Sequence, residues 1–269
     1  MTVSRANQLS GADWLKNSFS IWRDLPRDGD RKSHPASFPV SLVKKILDCY
    51  AKGPDSLILD PFVGSGSTLL AATAEGMPSI GLDVNAKFKE VFLGRLDLFD
   101  VSQQRGKTNL WRYEICDARD RADFFGVVEK GGVDLCVTSP PYWDVLNRRR
   151  SSDGKEAIAY SNSASDIGNI SSYEDFLRAL GDVVQNVGDA LKHRGYFVLN
   201  VMDLRKGSQF YPLHQDSSVV VRERGGLVLN DILVWDRQKD YNAMRPLGYP
   251  HKFIVNKVHE YLLVFRKEA

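Results

Sequence analysis

Short apolar runs alternate with longer segments of helical spacing along most of the chain, and this alternation limits the fold more than any other feature. Runs rich in Val, Ile, Leu and aromatic residues predict strands over 56–60, 79–84, 112–118, 133–139, 196–202, 228–235 and 260–265. Helices are predicted over 69–76, 86–98 and 173–191. Near-continuous apolar strands separated by helices predict an α/β fold, with a mostly parallel sheet covered on both faces. Ligands of such a sheet bind beyond the carboxyl ends of its strands.

The composition is that of a chain able to bury a core. Of 269 residues, 43% are hydrophobic and 26% are charged, which suits a single domain spanning 1–269. The net charge of +2 is too small to indicate nucleic-acid binding by itself, so a basic surface would need local clusters. Two basic runs occur, at 147–150 and 222–226.

Cysteine usage and hydropathy exclude several classes of protein. Cys49, Cys116 and Cys136 lack metal-ligand spacing, so we predict buried thiols and no metal site. No apolar run approaches the ~18 residues that a membrane span needs. The N-terminus also lacks the apolar core of a signal peptide. We therefore expect a cytoplasmic protein with no membrane partner.

A glycine-rich turn follows the first predicted strand, in the stretch LDPFVGSGST over 59–68. Gly64 and Gly66 allow the backbone to turn tightly and approach a ligand, and the next helix would offer unpaired N–H groups. The spacing is neither the dinucleotide G-x-G-x-x-G nor a phosphate loop, and no lysine is present to meet a phosphate. Asp60 with backbone donors and no cation suits an amino-acid group. The alternative is an ordinary strand–turn–helix corner.

Acidic residues also end the next two predicted strands. Asp83 lies about twenty residues beyond the start of the turn, where an acid can accept both hydroxyls of a ribose. Asp117 ends the third strand and could accept from the amine of an adenine ring. Each acid alone is typical of a cap or turn. Together with Asp60 they indicate a site for a nucleoside that carries an amino-acid tail.

The fourth predicted strand ends in VTSPPYW, over 137–143. Proline cannot continue a ladder, so the Ser139 oxygen and the Pro140 carbonyl are left to accept both hydrogens of a planar amine. Tyr142 can stack on the ring that carries the amine. An amine held through its hydrogens becomes more nucleophilic and can attack a methyl sulfonium without a strong base. The alternative is an ordinary strand exit.

Four stretches resemble the S-adenosylmethionine-dependent amino-methyltransferases of DNA, the N4-cytosine and N6-adenine type. They are DPFVGSGST, TSPPYW, HPASFP at 34–39 and the closing NKVHEYLLVFRK. The resemblance covers roughly 17–267 and implies a Rossmann-like sheet of seven strands. It also implies that this sheet is mostly parallel, with an antiparallel C-terminal strand and helices on both faces. The first and second stretches are specific as a pair.

The resemblance implies roles for individual residues. S-adenosylmethionine would be bound by His34, Pro35, Phe38, Asp60, Pro61, Phe62, Gly64, Ser65, Gly66, Ser67, Thr68, Asp83 and Asp117. The target amine would be held by Ser139, Pro140, Pro141 and Tyr142, with Trp143 as a second wall. Serine at the first tetrapeptide position favours N4 of cytosine, whereas aspartate there mostly marks N6 of adenine.

Target recognition is harder to place, because many relatives carry the catalytic motif before the cofactor turn and this chain has the reverse order. Candidate insertions are 144–172, 204–226 and 236–257. Basic and aromatic residues that suit phosphate contact and base stacking are Arg148, Arg149, Arg150, Arg237, Tyr241, Arg245, Tyr249 and Lys252. The alternative for the last segment is a structural lid.

The expected partner is double-stranded DNA, with or without a cognate restriction endonuclease, and the protein is expected to be a monomer or homodimer. One alternative is methylation of an amine in RNA or protein by the same fold. Another is a non-catalytic nucleic-acid-binding subunit, which the intact acids and tetrapeptide disfavour.

Overall fold

A computed structural model describes residues 5–26, 38–98, 110–144, 163–240 and 246–268. The helices of the described residues are α1 Gly11–Asn17, α2 Val40–Tyr50, α3 Ser67–Ala74, α4 Ala86–Leu98, α5 Arg121–Val127, α6 Tyr173–Ala190 and α7 Leu213–Gly225. The strands are β1 Ile21–Trp22, β2 Ile58–Asp60, β3 Ser79–Asp83, β4 Trp111–Ile115, β5 Val133–Thr138, β6 Leu191–Val201, β7 Leu204–Lys206, β8 Gln209–Tyr211, β9 Val228–Asp236 and β10 His259–Arg266. Seven predicted site residues lie outside the described residues: His34, Pro35, Arg148, Arg149, Arg150, Tyr241 and Arg245.

The strands form a mixed sheet in the order β1-β9-β10-β6-β5-β2-β3-β4. Strands β6, β5, β2, β3 and β4 are parallel. Strand β10 runs antiparallel between β6 and β9, with Leu263 opposite both Leu199 and Ile232. The predicted α/β fold with its antiparallel C-terminal strand is therefore confirmed. The two-residue β1, too short for a sequence signal, pairs with β9 and adds an eighth strand.

Burial explains why the central strands read as continuous apolar runs. Every residue of β2 and β3 is buried, because helices cover both faces of the sheet there. Strand β4 lies at the sheet edge, and of its five residues only Tyr113 is buried. Central position in the sheet, and not strand length, thus determines the apolar pattern.

Each face of the sheet has its own hydrophobic core. On one face α6 buries Phe176 and Val187 with Phe265 of β10. On the other face α2 buries Leu42 and Ile46 against the sheet. Full burial of one such side chain is worth about 1.5–3 kcal/mol. Helix α2 was not predicted, although Leu42, Val43, Ile46 and Leu47 have the helical spacing.

Segment 204–226, predicted as an insertion, consists of two different parts. Residues 204–211 form the β7–β8 hairpin, whereas α7 connects the sheet strands β6 and β9 and packs against α6. A Cβ on Gly188 of α6 would lie 2.2 Å from the Gly225 carbonyl oxygen, so the two helices are in close contact there. The hairpin is the part of this segment that lies outside the main sheet and its helices. No helix in the described ranges is long and apolar enough to cross a membrane.

Candidate active site

The predicted site residues converge on one edge of the sheet. Asp60 and Asp83 end β2 and β3, while Asp117 and Ser139 lie just beyond β4 and β5. Because these strands are parallel, their carboxyl ends lie at the same edge. The start of the antiparallel β10 also reaches this edge and brings Glu260 there.

Asp60 is the buried link between the cofactor turn and the catalytic motif. Its Oδ1 accepts hydrogen bonds from Thr138 Oγ1 at 2.6 Å and from the Phe62 amide at 3.0 Å. Its Oδ2 accepts from Thr68 Oγ1 at 2.5 Å. Burial raises the pKa of Asp60 to about 6, although these hydrogen bonds act to lower it. Asp60 therefore organises the turn from inside and joins it to Thr138, the residue before Ser139.

The glycine turn depends on conformations that other residues disfavour. Gly64 and Gly66 have φ values of 47° and 83°, in the left-handed region. A Cβ on Gly66 would lie 2.2 Å from the Phe92 ring of α4, so the turn also approaches its neighbour too closely for a side chain. Tyr113 Oη donates to the Gly64 carbonyl at 2.8 Å. The turn is thus held in one shape from the side of α4 and β4.

The hydroxyl groups of the turn have partners within the protein. Arg95 Nη1 donates to the Ser65 carbonyl at 2.8 Å, to Ser65 Oγ at 2.9 Å and to Ser67 Oγ at 3.2 Å. Thr68 donates to Asp60 and is fully buried. These side chains brace the turn from behind, so their contribution to a ligand would come from the backbone. Gly66 is the N-cap of α3 and provides no side-chain cap, which leaves that contribution available.

The two remaining acids have different surroundings. Asp83 is buried, with Oδ2 accepting from the Gly64 amide at 2.9 Å and Oδ1 from the Asn85 amide at 2.8 Å. Asp117 is half-buried and forms a two-pronged ion pair with Arg119, Nη2 to Oδ2 being 2.7 Å. Burial acts to raise the pKa of Asp117, but the hydrogen bonds and charge of Arg119 outweigh it and lower that pKa. Arg119 was not predicted as a member of the site.

The segment 139–142 belongs to a polar cluster that extends onto two other strands. Ser139 Oγ lies 3.1 Å from Tyr142 Oη, which donates to Glu260 Oε2 at 2.7 Å. Asn200 Nδ2 donates to Glu260 Oε2 at 2.5 Å and to Tyr142 Oη at 3.0 Å. Glu260 Oε1 accepts from Arg237 Nη1. Ser139 and Tyr142 are half-buried, so part of this cluster can meet a ligand.

Sequence reasoning missed Asn200 and Glu260. The available signal was a polar residue inside an apolar strand, in LNV of β6 and in HEYLL of β10. Such residues are rarely buried without a partner. Arg237 was predicted to contact DNA phosphate, but its guanidinium bonds to Glu260 and to Asp240 Oδ2, the latter at 3.4 Å. This places Arg237 in the polar cluster around Ser139 and Tyr142.

Trp143 does not form the predicted second wall. Its side chain is buried, and its ring centroid lies 5.1 Å from that of Tyr173 and 4.9 Å from that of Tyr211. The backbone φ of 54° turns the chain sharply at this residue and directs it into the core.

Phe38, predicted to contact the cofactor, is likewise buried in the core beside α2. Pro61 and Pro140 are buried, and Phe62 and Pro141 are half-buried.

A separate exposed surface combines the β7–β8 hairpin with segment 246–258. The Phe210 ring has Arg205 at 5.4 Å and Lys257 at 4.9 Å from its centroid, so the hairpin and the segment meet there. Tyr249 and Phe253 are 79% and 93% exposed. Lys252, also predicted to contact DNA, is exposed beside them. We call these residues the basic–aromatic surface.

Comparison with known proteins shows sequence similarity to DNA methylases. The sequence profile of the N6/N4 methyltransferases, described as DNA methylase, matches residues 3–93 and 133–269. Type II methyltransferase M.ScaI of Streptomyces caespitosus is 35% identical over 68 residues, 25% of this chain and 22% of that protein. M.BglI of Bacillus subtilis is 27% identical over 125 residues, 45% of this chain and 35% of that protein. The DNA adenine methyltransferase YhdJ of Escherichia coli is 34% identical over 83 residues, 29% of this chain and 28% of that protein.

Two solved structures have a fold similar to that of this chain. TrmN from Thermus thermophilus matches with a TM-score of 0.53 and 16% identity, over 87% of this chain and 50% of that chain. A precorrin-6y C5,15-methyltransferase from Geobacter metallireducens matches with a TM-score of 0.51 and 12% identity, over 90% of this chain and 94% of that chain. Both similarities concern the arrangement of the sheet and helices.

Proposed function

Because the chain belongs to the N6/N4 DNA methylase family, we propose that it transfers a methyl group to the exocyclic N4 amine of a cytosine in DNA. The observation that carries the proposal is the 2.6 Å hydrogen bond between Thr138 and Asp60. It joins the residue before Ser139 to the acid that begins the glycine turn. An amine held at Ser139 would therefore lie next to a ligand held at the turn.

The methyl donor of this family is S-adenosylmethionine, and the residues of the turn fit it. The uncapped start of α3 at Gly66 offers backbone N–H groups to its carboxylate. Asp83 would accept the ribose hydroxyls, and half-buried Asp117 would meet the adenine edge. Bound there, the cofactor would supply an electrophilic methyl group for transfer from its sulfonium sulfur, the leaving group, to the amine nitrogen.

The chain's own residues hold and activate the amine. Ser139 Oγ and the Pro140 carbonyl accept its two hydrogens, which raises electron density on nitrogen as the new bond forms. Tyr142 presents its ring to the base, which must leave the duplex to reach this depth. The proton that nitrogen sheds afterwards passes to solvent, since Ser139 is half-buried.

Serine at position 139 supports cytosine as the target, and N6 of adenine is the alternative. A related alternative is an amine of RNA or protein. The basic–aromatic surface favours nucleic acid, because Arg205, Lys252 and Lys257 can neutralise phosphates while Tyr249 and Phe253 can stack on bases. We propose that this surface contacts double-stranded DNA beside the target base.

Transfer of labelled methyl to duplex DNA, followed by digestion to nucleosides, tests the proposal. We expect label on N4-methylcytosine, and label on N6-methyladenine would correct the base alone. Ser139→Ala is expected to lower kcat by about 100-fold, since an acceptor to the reacting amine is lost. Its affinity for S-adenosylmethionine should change less than about 2-fold, because the residue lies outside the turn. Label found only on RNA or protein would refute DNA as the substrate.

A further inference from the structure

Glu260 is a buried carboxylate beside the catalytic motif that has no part in the scheme above. It is 3% exposed and lies on β10, more than a hundred residues along the chain from Ser139. Its Oε2 accepts from Tyr142 and Asn200, and its Oε1 accepts from Arg237. The charge of Arg237 compensates for the cost of burying the carboxylate.

The chemistry of these groups fixes the direction of each hydrogen bond. An ionised carboxylate only accepts, and a guanidinium only donates. Tyr142 has a single hydroxyl hydrogen, which goes to Glu260 at 2.7 Å. Tyr142 Oη, 3.1 Å from Ser139 Oγ, can then accept from Ser139 but not donate to it, and Asn200 Nδ2, 3.4 Å from Ser139 Oγ, can only donate. Of the described groups beside Ser139 Oγ, Tyr142 Oη is therefore the one that can accept its hydrogen.

We propose that Glu260 is a positioning residue that makes Ser139 a pure acceptor for the target amine. A serine hydroxyl can donate or accept, whereas an ionised aspartate can only accept. With its hydrogen directed to Tyr142, the Ser139 oxygen presents its lone pairs to the target amine. This inference rests on the proposed role of Ser139 in binding the amine.

Arg237 makes the effect of a conservative substitution predictable. In Glu260→Gln, the amide oxygen must face Arg237, since a guanidinium cannot accept. The amide nitrogen then faces Tyr142 and donates to it. Tyr142 in turn donates to Ser139, whose own hydrogen now points at the amine and opposes it.

Asn200 can accommodate this reversal. In the described part of the chain its Oδ1 is buried and has no hydrogen-bond partner. A flip of the amide would turn Oδ1 toward the new amide nitrogen and Nδ2 away from it. The flip leaves Nδ2 in the buried position where Oδ1 has no partner, so the variant should fold with lower stability and with the hydrogen bonds of the cluster reversed.

The test compares Glu260→Gln in two backgrounds, with Ser139 and with Ser139→Asp. With serine, we expect kcat to fall by about 10- to 100-fold, the effect of losing one hydrogen bond to a reacting group. With aspartate, which has no hydrogen to misdirect, the same substitution should change kcat by less than about 3-fold. An equal loss in both backgrounds would overturn the proposal, since a structural role for Glu260 would not depend on residue 139. Glu223→Gln, on the exposed side of α7, is the matched control and should leave kcat unchanged.

A binding measurement keeps the proposal testable if the aspartate background is inactive. Duplexes that methyl transfer has identified as substrates are compared with duplexes in which the target amine is replaced by a carbonyl oxygen, uracil for cytosine. Wild type should bind the amine form more tightly, whereas Glu260→Gln should lose or reverse that preference. An unchanged preference would overturn the proposal. Absence of any transfer to DNA by wild type would instead refute the proposed function.

Discussion

Asp60 offers a test of the site that needs no substrate. Its carboxyl is 1% exposed, and burial raises its pKa from an ordinary 3.8 to about 6. The folded protein therefore binds this proton more tightly than the unfolded chain does. The stabilisation is fully present below about pH 4 and is lost as the pH rises through about 6. In the neutral range the buried charge is a cost that the hydrogen bonds from Thr68 and Thr138 offset only in part.

The magnitude follows from the two pKa values. The interval from 3.8 to about 6 corresponds to about 3 kcal/mol, at about 1.4 kcal/mol per pH unit. Asp60→Asn removes the titration but keeps one acceptor, and both threonine hydroxyls can rotate to accept from the new amide. At pH 4 the variant should be less stable than wild type by about 1–2 kcal/mol, for one weakened hydrogen bond. By pH 7.5 the difference should have moved by about 2.4 kcal/mol in favour of the variant, since part of the full interval lies below pH 4.

Urea unfolding of both proteins at several pH values between 4 and 7.5, without ligand, measures this difference. Asp97→Asn on the exposed side of α4 is the control, and its difference from wild type should vary by less than about 0.5 kcal/mol across the range. A difference between Asp60→Asn and wild type that stays constant with pH would show that Asp60 titrates normally. The buried arrangement of Asp60 with Thr138 would then be wrong.

Three further results are expected. Gly66→Ala should destabilise the protein by about 2–4 kcal/mol in urea unfolding, because the new Cβ would clash with Phe92, whereas Gly94→Ala, with open space around it, should cost less than about 0.5 kcal/mol. Trp143→Ala should cost about 3–5 kcal/mol of unfolding free energy, and a loss below about 1 kcal/mol would contradict its burial. Lys257→Gln should lower the slope of log affinity for duplex DNA against log salt by about 1, and an unchanged slope would remove Lys257 from the DNA contact.

The parallel part of the fold could be predicted because its signals are local. Helix α4 begins and ends where the sequence pattern indicated, and β3 differs from its predicted bounds by one residue. The errors occur where structure depends on distant partners. Strand β1 exists only because β9 offers an open edge to pair with, and two residues carry no periodicity. Helix α7 has its apolar residues spread around its circumference, so the run 204–226 reads as polar loop although it packs on α6.

For the site as well, the sequence predicted which residues lie there but not how their side chains are oriented. The motifs predicted that Asp60, Gly66, Asp83 and Ser139 lie at one edge of the sheet, because each follows or ends a strand and these strands are parallel. Which way a hydroxyl points is decided by partners far along the chain.

Arg95 illustrates this dependence on distant partners, since it lies 30 residues from Ser65 and turns the hydroxyls of the turn inward. Glu260 lies 118 residues from Tyr142 and sets the polarity of its hydrogen bond. For this reason the sequence alone does not determine the role of a serine in a catalytic motif, because a serine hydroxyl can donate or accept a hydrogen bond. Only a buried acceptor on another strand decides between the two. The preference for cytosine or adenine should therefore be sought in the partners of Ser139 as much as in Ser139 itself.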